Sequence, residues 1–431
     1  MKRKIIIFFI VTIILLCQIN QVNSNTNSLN IINENNINIE DDVDVDIEEI
    51  ETTIETSNNP EELDLNSRIA LIYDRASGNI LFEKNGKKQT PMASTTKIMT
   101  SIVVLENANL KDTVTIDSKA AGTGGSRLGL KKNDKITVND LLYGLLLRSG
   151  NDAAVALAIH VGGSVDGFAQ MMNDKAKEMG LTNSHFVVPH GLDNAEHYTT
   201  AFELAKMADY ALNIEEFRKI VSTKVTTIYI NGYPKSINNT NQLLGSVSGV
   251  YGVKTGFTNG AGRCLVSSCK RDDLDIITVV IGADTTKLRT SDTMKLIEYA
   301  FNNYEIVNIK EIVERRFEQW KEMNEDRIYI NKGITNRVEV CLSEISVNNM
   351  AVKKTEVDKI DIEVNTIFYL DAPVVQGQIV GNVKVMLNNK TIEVLKIYIK
   401  NEVRKKDIQD YMLEFLAYLE WNNYYIVNIV I

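Results

Sequence analysis

The sequence has few residues of the kinds that hold metals or cross-link small domains. Only four His and four Cys occur in 431 residues. No His-Glu-x-x-His motif and no closely spaced Cys/His cluster is present, so we expect no metal and no other cofactor. One Cys lies near the N-terminus, and the odd remainder argues against a disulfide framework. Cys264 and Cys269 fall five apart in one predicted strand, where they face opposite sides and cannot pair.

Positive charge is also scarce. The chain has 47 Lys and Arg against 56 Asp and Glu, a formal net charge of −9, which argues against nucleic acid as a partner. Residues 25–67 carry thirteen acidic residues and no Lys or Arg. Such a segment repels itself and has little to bury, so we predict an acidic disordered linker there. An edge strand over Asp42–Ile50 is the alternative.

The first 24 residues are typical of a secretory signal peptide. A positive start at Met1–Lys4 precedes the apolar run Ile5–Leu16, and small residues follow at Val22–Ser24. The protein is therefore expected to be exported to the outer face of the membrane or the cell wall space. An uncleaved membrane anchor is the alternative. A lipid on Cys17 is discounted because Leu16 is too large for the position before it.

Residues 68–304 predict one α+β domain. Strands open and close this segment and helices fill its middle, so distant strands share one sheet covered by helices on both faces. The predicted elements are strands Ile69–Asp74, Ile80–Glu83, Thr226–Asn231, Gly252–Thr258, Arg263–Lys270 and Asp275–Ile281, and helices Ser94–Glu106, Leu141–Leu147, Ala153–His160, Phe168–Met179, Thr200–Leu212 and Ser291–Phe301.

The sequence pattern changes after this domain. Short alternating runs from about Arg327 predict a small β-rich domain over residues 305–400. In the tail, residues 401–431, apolar side chains recur at helical spacing over Asp407–Trp421. An amphipathic helix on a membrane surface is one interpretation, and packing on this protein or a partner is the other.

Ser94 and Lys97 form the first candidate for chemistry. Residues three apart on a helix share a face, so the hydroxyl and the amine can meet. Free N–H groups at a helix start favour a developing oxyanion, and burial favours a neutral amine that can take a proton. Ser267 and Lys270 have the same spacing, but they fall in a predicted strand and point to opposite faces.

Two further motifs follow in the chain, each weak on its own. Ser149-Gly150-Asn151 interrupts two helices, where it either serves a site or caps a helix. Lys254-Thr255-Gly256 lies on a predicted strand; Lys254 and Thr255 could hold a substrate carboxylate, and a strand Gly permits close approach. The alternative is an ordinary exposed strand lysine.

The three motifs in this order resemble those of the D-alanyl-D-alanine carboxypeptidases, the low-molecular-mass penicillin-binding proteins. The resemblance runs from about Arg68 to Ile399, and it includes Pro189–Asp193, His197–Thr200 and Ala372–Val374. It implies a three-layer α/β/α fold of the β-lactamase and transpeptidase type, followed by the small β domain. The implied partners are peptidoglycan stem peptides, with β-lactam antibiotics as inhibitors.

The resemblance also implies residue roles. Ser94 is expected to be the acylated nucleophile with Lys97 as its base, and Ser149 and Asn151 to relay a proton and hold the peptide amide. Lys254, Thr255 and Arg289 are expected to bind the terminal carboxylate of the substrate. The backbone N–H groups of Ser94 and of Phe257, which follows Gly256, are expected to form the oxyanion hole. His190 and His197 are expected to be structural.

Other activities remain open on the sequence alone. A peptidoglycan endopeptidase shares every motif. A β-lactamase is disfavoured by the added β domain and by the lack of a Glu-x-x-Leu-Asn segment after Asn151. A catalytically idle wall-binding relative is disfavoured because every motif residue is present.

Overall fold

The computed structural model describes residue 47 and residues 63–429. The predicted signal peptide, and the acidic linker apart from Ile47 and residues 63–67, lie outside the described residues. The order that was expected from Arg68 begins slightly earlier. Leu65 is buried, and the Ser67 N–H donates to the buried carboxylate of Asp292 at 2.7 Å, so these linker residues pack on the domain.

The segment of residues 68–304 contains the predicted strands at both ends and helices in the middle, together with short strands and helices that the sequence did not predict. Its strands are β1 Ile69–Asp74, β2 Ile80–Lys84, β3 Thr113–Thr115, β4 Lys135–Thr137, β5 Val225–Ile230, β6 Tyr233–Asn238, β7 Val250–Thr258, β8 Gly262–Arg271 and β9 Leu274–Ala283. Its helices are α1 Lys97–Asn107, α2 Ser118–Ala121, α3 Val138–Leu146, α4 Asn151–Gly162, α5 Val165–Glu178, α6 Ala201–Leu212, α7 Glu215–Val221 and α8 Thr286–Asn303.

One five-stranded antiparallel sheet organises this domain. Its strand order is β2-β1-β9-β8-β7, so the first strand of the domain pairs with the last. Alternate residues of β1 face different cores: Leu71 packs with the helices α1 and α3–α7, whereas Ile72 packs against α8. The sheet therefore lies between two helical layers, which confirms the predicted three-layer α+β fold.

The cysteines follow the same alternation. Cys264 belongs to the core on one face of the sheet and Cys269 to the core on the other, and both are free thiols, as is Cys341. Burial raises the pKa of the Cys264 and Cys269 thiols to about 12, so both stay protonated and unreactive.

The second domain is β-rich but also contains a helix that the sequence did not predict. The elements are β10 Tyr304–Asn308, α9 Ile309–Asn324, β11 Tyr329–Asn331, β12 Val340–Leu342, β13 Asn349–Lys353, β14 Ile360–Thr366, β15 Tyr369–Asp371, β16 Ile379–Leu387 and β17 Lys390–Ile399. Charged residues dominate α9 and hide its apolar stripe, of which Val313 and Phe317 enter the β core.

The chain ends in a helix, α10, over Ile408–Ile429. It begins one residue after the predicted start and runs beyond the predicted end at Trp421. Large apolar side chains along it are exposed, among them Met412, Phe415 and Leu416. Within the described range, no helix combines the length and the apolar character needed to cross a membrane.

Candidate active site

Ser94 lies on a tight turn that precedes α1. Residues Ala93–Thr96 form a 3-10 turn, and the α-helix begins only at Lys97, so the predicted helix from Ser94 starts three residues late. Ala93 has a positive φ of 48°. The Thr96 hydroxyl donates to the Ala93 carbonyl oxygen at 2.8 Å, which holds this turn closed.

A glycine permits this turn to sit close to the loop behind it. Gly191 has a φ of +89°, and a Cβ there would lie 1.9 Å from the Ala93 carbonyl oxygen. A side chain at this position would push the loop away from the turn that carries Ser94, so the Pro-His-Gly segment helps to fix the position of Ser94.

The Lys97 amine lies at the centre of the site. Its Nζ lies 2.8 Å from Ser94 Oγ, 2.8 Å from Asn151 Oδ1 and 2.7 Å from the His190 carbonyl oxygen. The last two partners are carbonyl oxygens that can only accept. A neutral amine has two N–H bonds for these acceptors and one lone pair, which then faces the Ser94 hydroxyl.

The electrostatic environment favours that neutral amine. Lys97 is fully buried, and burial lowers its pKa well below the usual value, with the nearby positive charge of Lys254 adding to the effect. The Asp152 carboxylate opposes this shift. Lys254 is itself buried, and burial together with Arg289 lowers its pKa to about 7.

The Ser149–Asn151 segment forms the opposite wall. Ser149 adopts a positive φ of 59° and is buried, and Asn151 begins α4. The Asn151 side-chain amide donates to the Gly124 carbonyl oxygen at 2.8 Å, which leaves its own oxygen for Lys97. Asp152 anchors this wall because its buried carboxylate accepts the N–H groups of residues 128–130.

Strand β7 closes the third side. A Cβ on Gly256 would lie 3.1 Å from the Ser94 backbone nitrogen, so the glycine allows the strand to approach the turn closely. The Thr255 hydroxyl lies 2.7 Å from the Thr240 hydroxyl. Phe257 is partly exposed, and the Arg263 guanidinium stacks 3.6 Å from the centre of its ring.

These walls enclose a cleft of about 260 Å³. Seven of the nine predicted site residues line it: Ser94, Ser149, Asn151, Thr255, Gly256, Phe257 and Arg289. Lys97 and Lys254, 0% and 1% exposed, lie behind this lining. The Lys254 amine donates to the Thr255 carbonyl oxygen at 2.9 Å, and Lys254 is not among the residues that line the cleft.

The two histidines of the 189–200 region have different positions. His197 is buried, accepts the Val187 N–H at its Nδ1, and lies 2.8 Å from the Thr96 hydroxyl through Nε2. Burial lowers the pKa of His197 to about 4 and that of His190 to about 3, so both are neutral. His190 reaches the site through its backbone carbonyl, a contact that no side-chain motif reveals.

The second Ser-x-x-Lys sequence does not form a pair. Ser267 is buried in β8 and donates to the Gly252 carbonyl oxygen, whereas Lys270 is exposed near the end of that strand. The strand geometry thus separates the two groups as expected.

Sequence reasoning missed several residues of the cleft. Arg127, Arg148, Thr240 and Arg263 line it, and no motif points to them. Of these four, Arg148 alone adjoins a predicted motif, Ser149–Asn151. Within the described part of the chain, no group of three or more His, Cys, Asp or Glu side chains could hold a metal ion.

Comparison with known families gives two matches. The D-alanyl-D-alanine carboxypeptidase family matches residues 54–285, and the C-terminal domain of penicillin-binding protein 5 matches residues 326–405. The matches correspond to the two folded units described above.

Curated relatives span most of the chain. The D-alanyl-D-alanine carboxypeptidase DacF of Bacillus subtilis is 31% identical over 350 residues, covering 80% of this chain and 87% of DacF. DacC of Escherichia coli is 33% identical over 355 residues, covering 79% and 85%.

Solved structures agree with these relatives. The D-alanyl-D-alanine carboxypeptidase DacD from Francisella tularensis has a TM-score of 0.65 at 28% identity, covering 82% of this chain and 96% of its own. Penicillin-binding protein 5 from Haemophilus influenzae has a TM-score of 0.62 at 29% identity, covering 79% and 98%.

Proposed function

The chain belongs to the D-alanyl-D-alanine carboxypeptidase family, and we propose that it removes the terminal D-alanine from peptidoglycan stem peptides through an acyl-enzyme on Ser94. It is a serine peptidase of the penicillin-binding type. The observation that carries the residue assignment is the Lys97 amine, buried and within 2.8 Å of both Ser94 Oγ and Asn151 Oδ1.

Acylation begins with proton transfer from Ser94 to Lys97. The neutral amine takes the hydroxyl proton while Oγ attacks the carbonyl carbon of the penultimate residue. The C–N bond of the tetrahedral intermediate then breaks, and the leaving amine takes a proton relayed from Lys97 through Ser149. Asn151 holds the substrate amide on the acyl side.

The intermediate's oxyanion needs donors that are fixed before the reaction. The backbone N–H groups of Ser94 and Phe257 are assigned this role, because Gly256 lets the two backbones approach each other. Such preorganised donors contribute strongly in acyl transfer, since they need no reorientation as charge develops.

The terminal carboxylate of the substrate is assigned to Thr255 and Arg289, which line the cleft. The sequence suggested Lys254 as a direct partner. Its burial and its bond to the Thr255 carbonyl support a different role: Lys254 orders the strand and keeps the pKa of Lys97 low.

The acyl-enzyme is then released by water, with Lys97 again as the base. A β-lactam acylates the same serine, but its leaving group stays tethered. Slow hydrolysis of that adduct explains why a penicillin inhibits an enzyme of this kind.

The decisive experiment compares Ser94→Ala with the matched control Ser267→Ala, which alters a buried serine of the same spacing. Wild type and control are expected to release D-alanine from a peptide ending in D-Ala-D-Ala and to gain one penicillin in intact-mass spectra. Ser94→Ala should do neither. An adduct that persists in Ser94→Ala would overturn the assignment of the nucleophile, and a wild type that releases no D-alanine would overturn the activity.

Family members act in the periplasm or the cell wall space, and the proposed export rests on the first 24 residues. The proposed organisation is a signal peptide over 1–24, a linker over 25–67, a catalytic domain over 68–304, a β domain over 305–400 and a tail over 401–431. Exposed apolar side chains on α10 support contact of the tail with a membrane surface.

A further inference from the structure

A second cavity lies beside the catalytic cleft. Arg127 and Arg148 line both spaces, so they form a shared wall. Leu128 and residues 235–238 of β6 complete the second cavity, which we call the side cavity.

The backbone of the shared wall is fixed from several sides. The Asp152 carboxylate accepts the Leu128 N–H at 2.8 Å, and the Lys235 amine donates to the Leu128 carbonyl oxygen. The Asn151 backbone N–H donates to the Ser126 carbonyl oxygen at 2.8 Å. The loop that carries Arg127 is thus held by a residue of the catalytic site and by the side cavity's own lysine.

The lining of the side cavity is cationic. It contains Arg127, Arg148 and Lys235, together with Leu128, Ser236, Ile237 and Asn238, and no acidic residue among those described. Asp152 approaches Arg127 at 4.0 Å, but it is fully buried and directs its oxygens to backbone N–H groups. In a chain of net charge −9, such a lining favours an anionic group.

The side cavity adjoins the carboxylate end of the cleft. The Thr240 N–H donates to the carbonyl oxygen of Leu147, the residue before Arg148, at 3.1 Å. The Thr240 hydroxyl in turn lies 2.7 Å from that of Thr255, to which the substrate's terminal carboxylate is assigned. The side cavity therefore extends the cleft on the side of the leaving group.

We propose that the side cavity is a subsite for a second carboxylate carried by the leaving residue. It rests on the proposed function and names a substrate class for the same site: peptides whose leaving residue is more acidic than alanine. Arg127 and Lys235 are then specificity-determining residues.

The test compares two peptides that differ only in ending with D-Ala-D-Ala or D-Ala-D-Glu. The measured quantity is the ratio of kcat/KM for the acidic peptide to kcat/KM for the alanine peptide. Arg127→Gln and Lys235→Gln are expected to lower this ratio about tenfold, since each removes a positive charge from the lining of the side cavity, which only the second carboxylate of the acidic peptide enters. Lys235→Arg keeps the charge and should keep the ratio. Lys132→Gln, an exposed lysine outside both linings, controls for net charge.

A ratio that stays within twofold of wild type in both glutamine variants would overturn the subsite. A second readout separates this outcome from failure of the proposed function. This readout uses two cephalosporins that differ only at C3, where one carries a neutral substituent and the other a carboxylate. The C3 substituent lies on the leaving-group side of the bond that opens. The second-order rate of acylation of Ser94 is measured for each compound, and this measurement involves no peptide hydrolysis. A preference for the anionic compound that both variants lose supports the subsite, and an unchanged preference refutes it, even if no D-alanine is released.

Discussion

In most proteins polar side chains are exposed and apolar side chains are buried, but the surroundings of Lys97 and the surface of α10 each reverse one half of this rule. Around Lys97, polar groups are buried: Lys97 and Asp152 are inaccessible and Asn151 is 3% exposed. On α10, apolar groups are exposed, with Phe415 at 61% and Leu416 at 52%.

The difference teaches where each region finds its partners. The buried polar groups satisfy one another through hydrogen bonds, so the cost of burial is offset inside the fold and the arrangement can perform chemistry there. The exposed apolar groups of α10 gain little from contacts with the described residues, and an exposed apolar surface of this kind is typical of a site that contacts a partner or a membrane.

The largest effect is expected from a change among the buried polar groups, the removal of the Lys97 amine. Replacing Lys97 with Met removes the base while keeping the length and apolar stem of the side chain. Acylation by penicillin is expected to fall by about 10² to 10⁴, the range typical of general-base catalysis. The second-order rate of adduct formation measures the loss.

Lys270→Met is the matched control, because it alters the exposed lysine of the other Ser-x-x-Lys sequence. It should acylate at the wild-type rate. If Lys97→Met kept even a tenth of the wild-type rate, another group would have to be the base.

A smaller effect is expected on the exposed side. Changing Phe415 and Leu416 to Asp adds charge to the apolar surface of α10, and burying each of these side chains contributes about 1.5–3 kcal/mol. Sedimentation with lipid vesicles is therefore expected to weaken more than tenfold, while penicillin acylation in solution is unchanged. Gln409→Asp, an added charge at an exposed polar position of the same helix, serves as control. Equal vesicle binding by wild type and the double variant would contradict contact of this helix with a membrane surface.

Much of the catalytic domain follows from local patterns. The hairpin β1–β2 and the strands β7–β9 show alternation or long apolar runs, and the predicted bounds agree with the structure within two residues or so. The small β domain was predicted as a class, but α9 was not, because its charged face outweighs a stripe that only the β core reveals.

The site was predictable where chemistry resides in side chains at fixed spacing, as for Ser94 and Lys97. It was not predictable where backbone groups or distant loops contribute. The His190 carbonyl contacts Lys97, and the Thr240 hydroxyl contacts that of Thr255, through loops whose folding the three catalytic motifs do not specify. The burial of Lys254 could not be predicted either, because a strand motif does not show whether its lysine lines the cleft or is covered by other residues.

The smallest expected effect is a shift in the pH dependence of acylation, which tests the electrostatic coupling between the buried Lys97 and Lys254. The positive charge of Lys254 lowers the pKa of Lys97, and the pKa of Lys254 is itself about 7, so that charge is present mainly below about pH 7. Replacing Lys254 with Met removes the charge and should raise the pKa of Lys97. Acylation, which needs the neutral amine, is then expected to begin its rise at higher pH than in wild type.

The measurement is the second-order rate of penicillin acylation across the acidic and neutral range, with Lys132→Met as a control for net charge. The profiles of variant and wild type should differ most on the acidic side and approach each other where Lys254 is already neutral in the wild type. A uniform loss of rate at every pH would instead assign Lys254 to direct substrate contact or to the order of β7. A rise that moved to lower pH would contradict the electrostatic coupling between the two buried lysines.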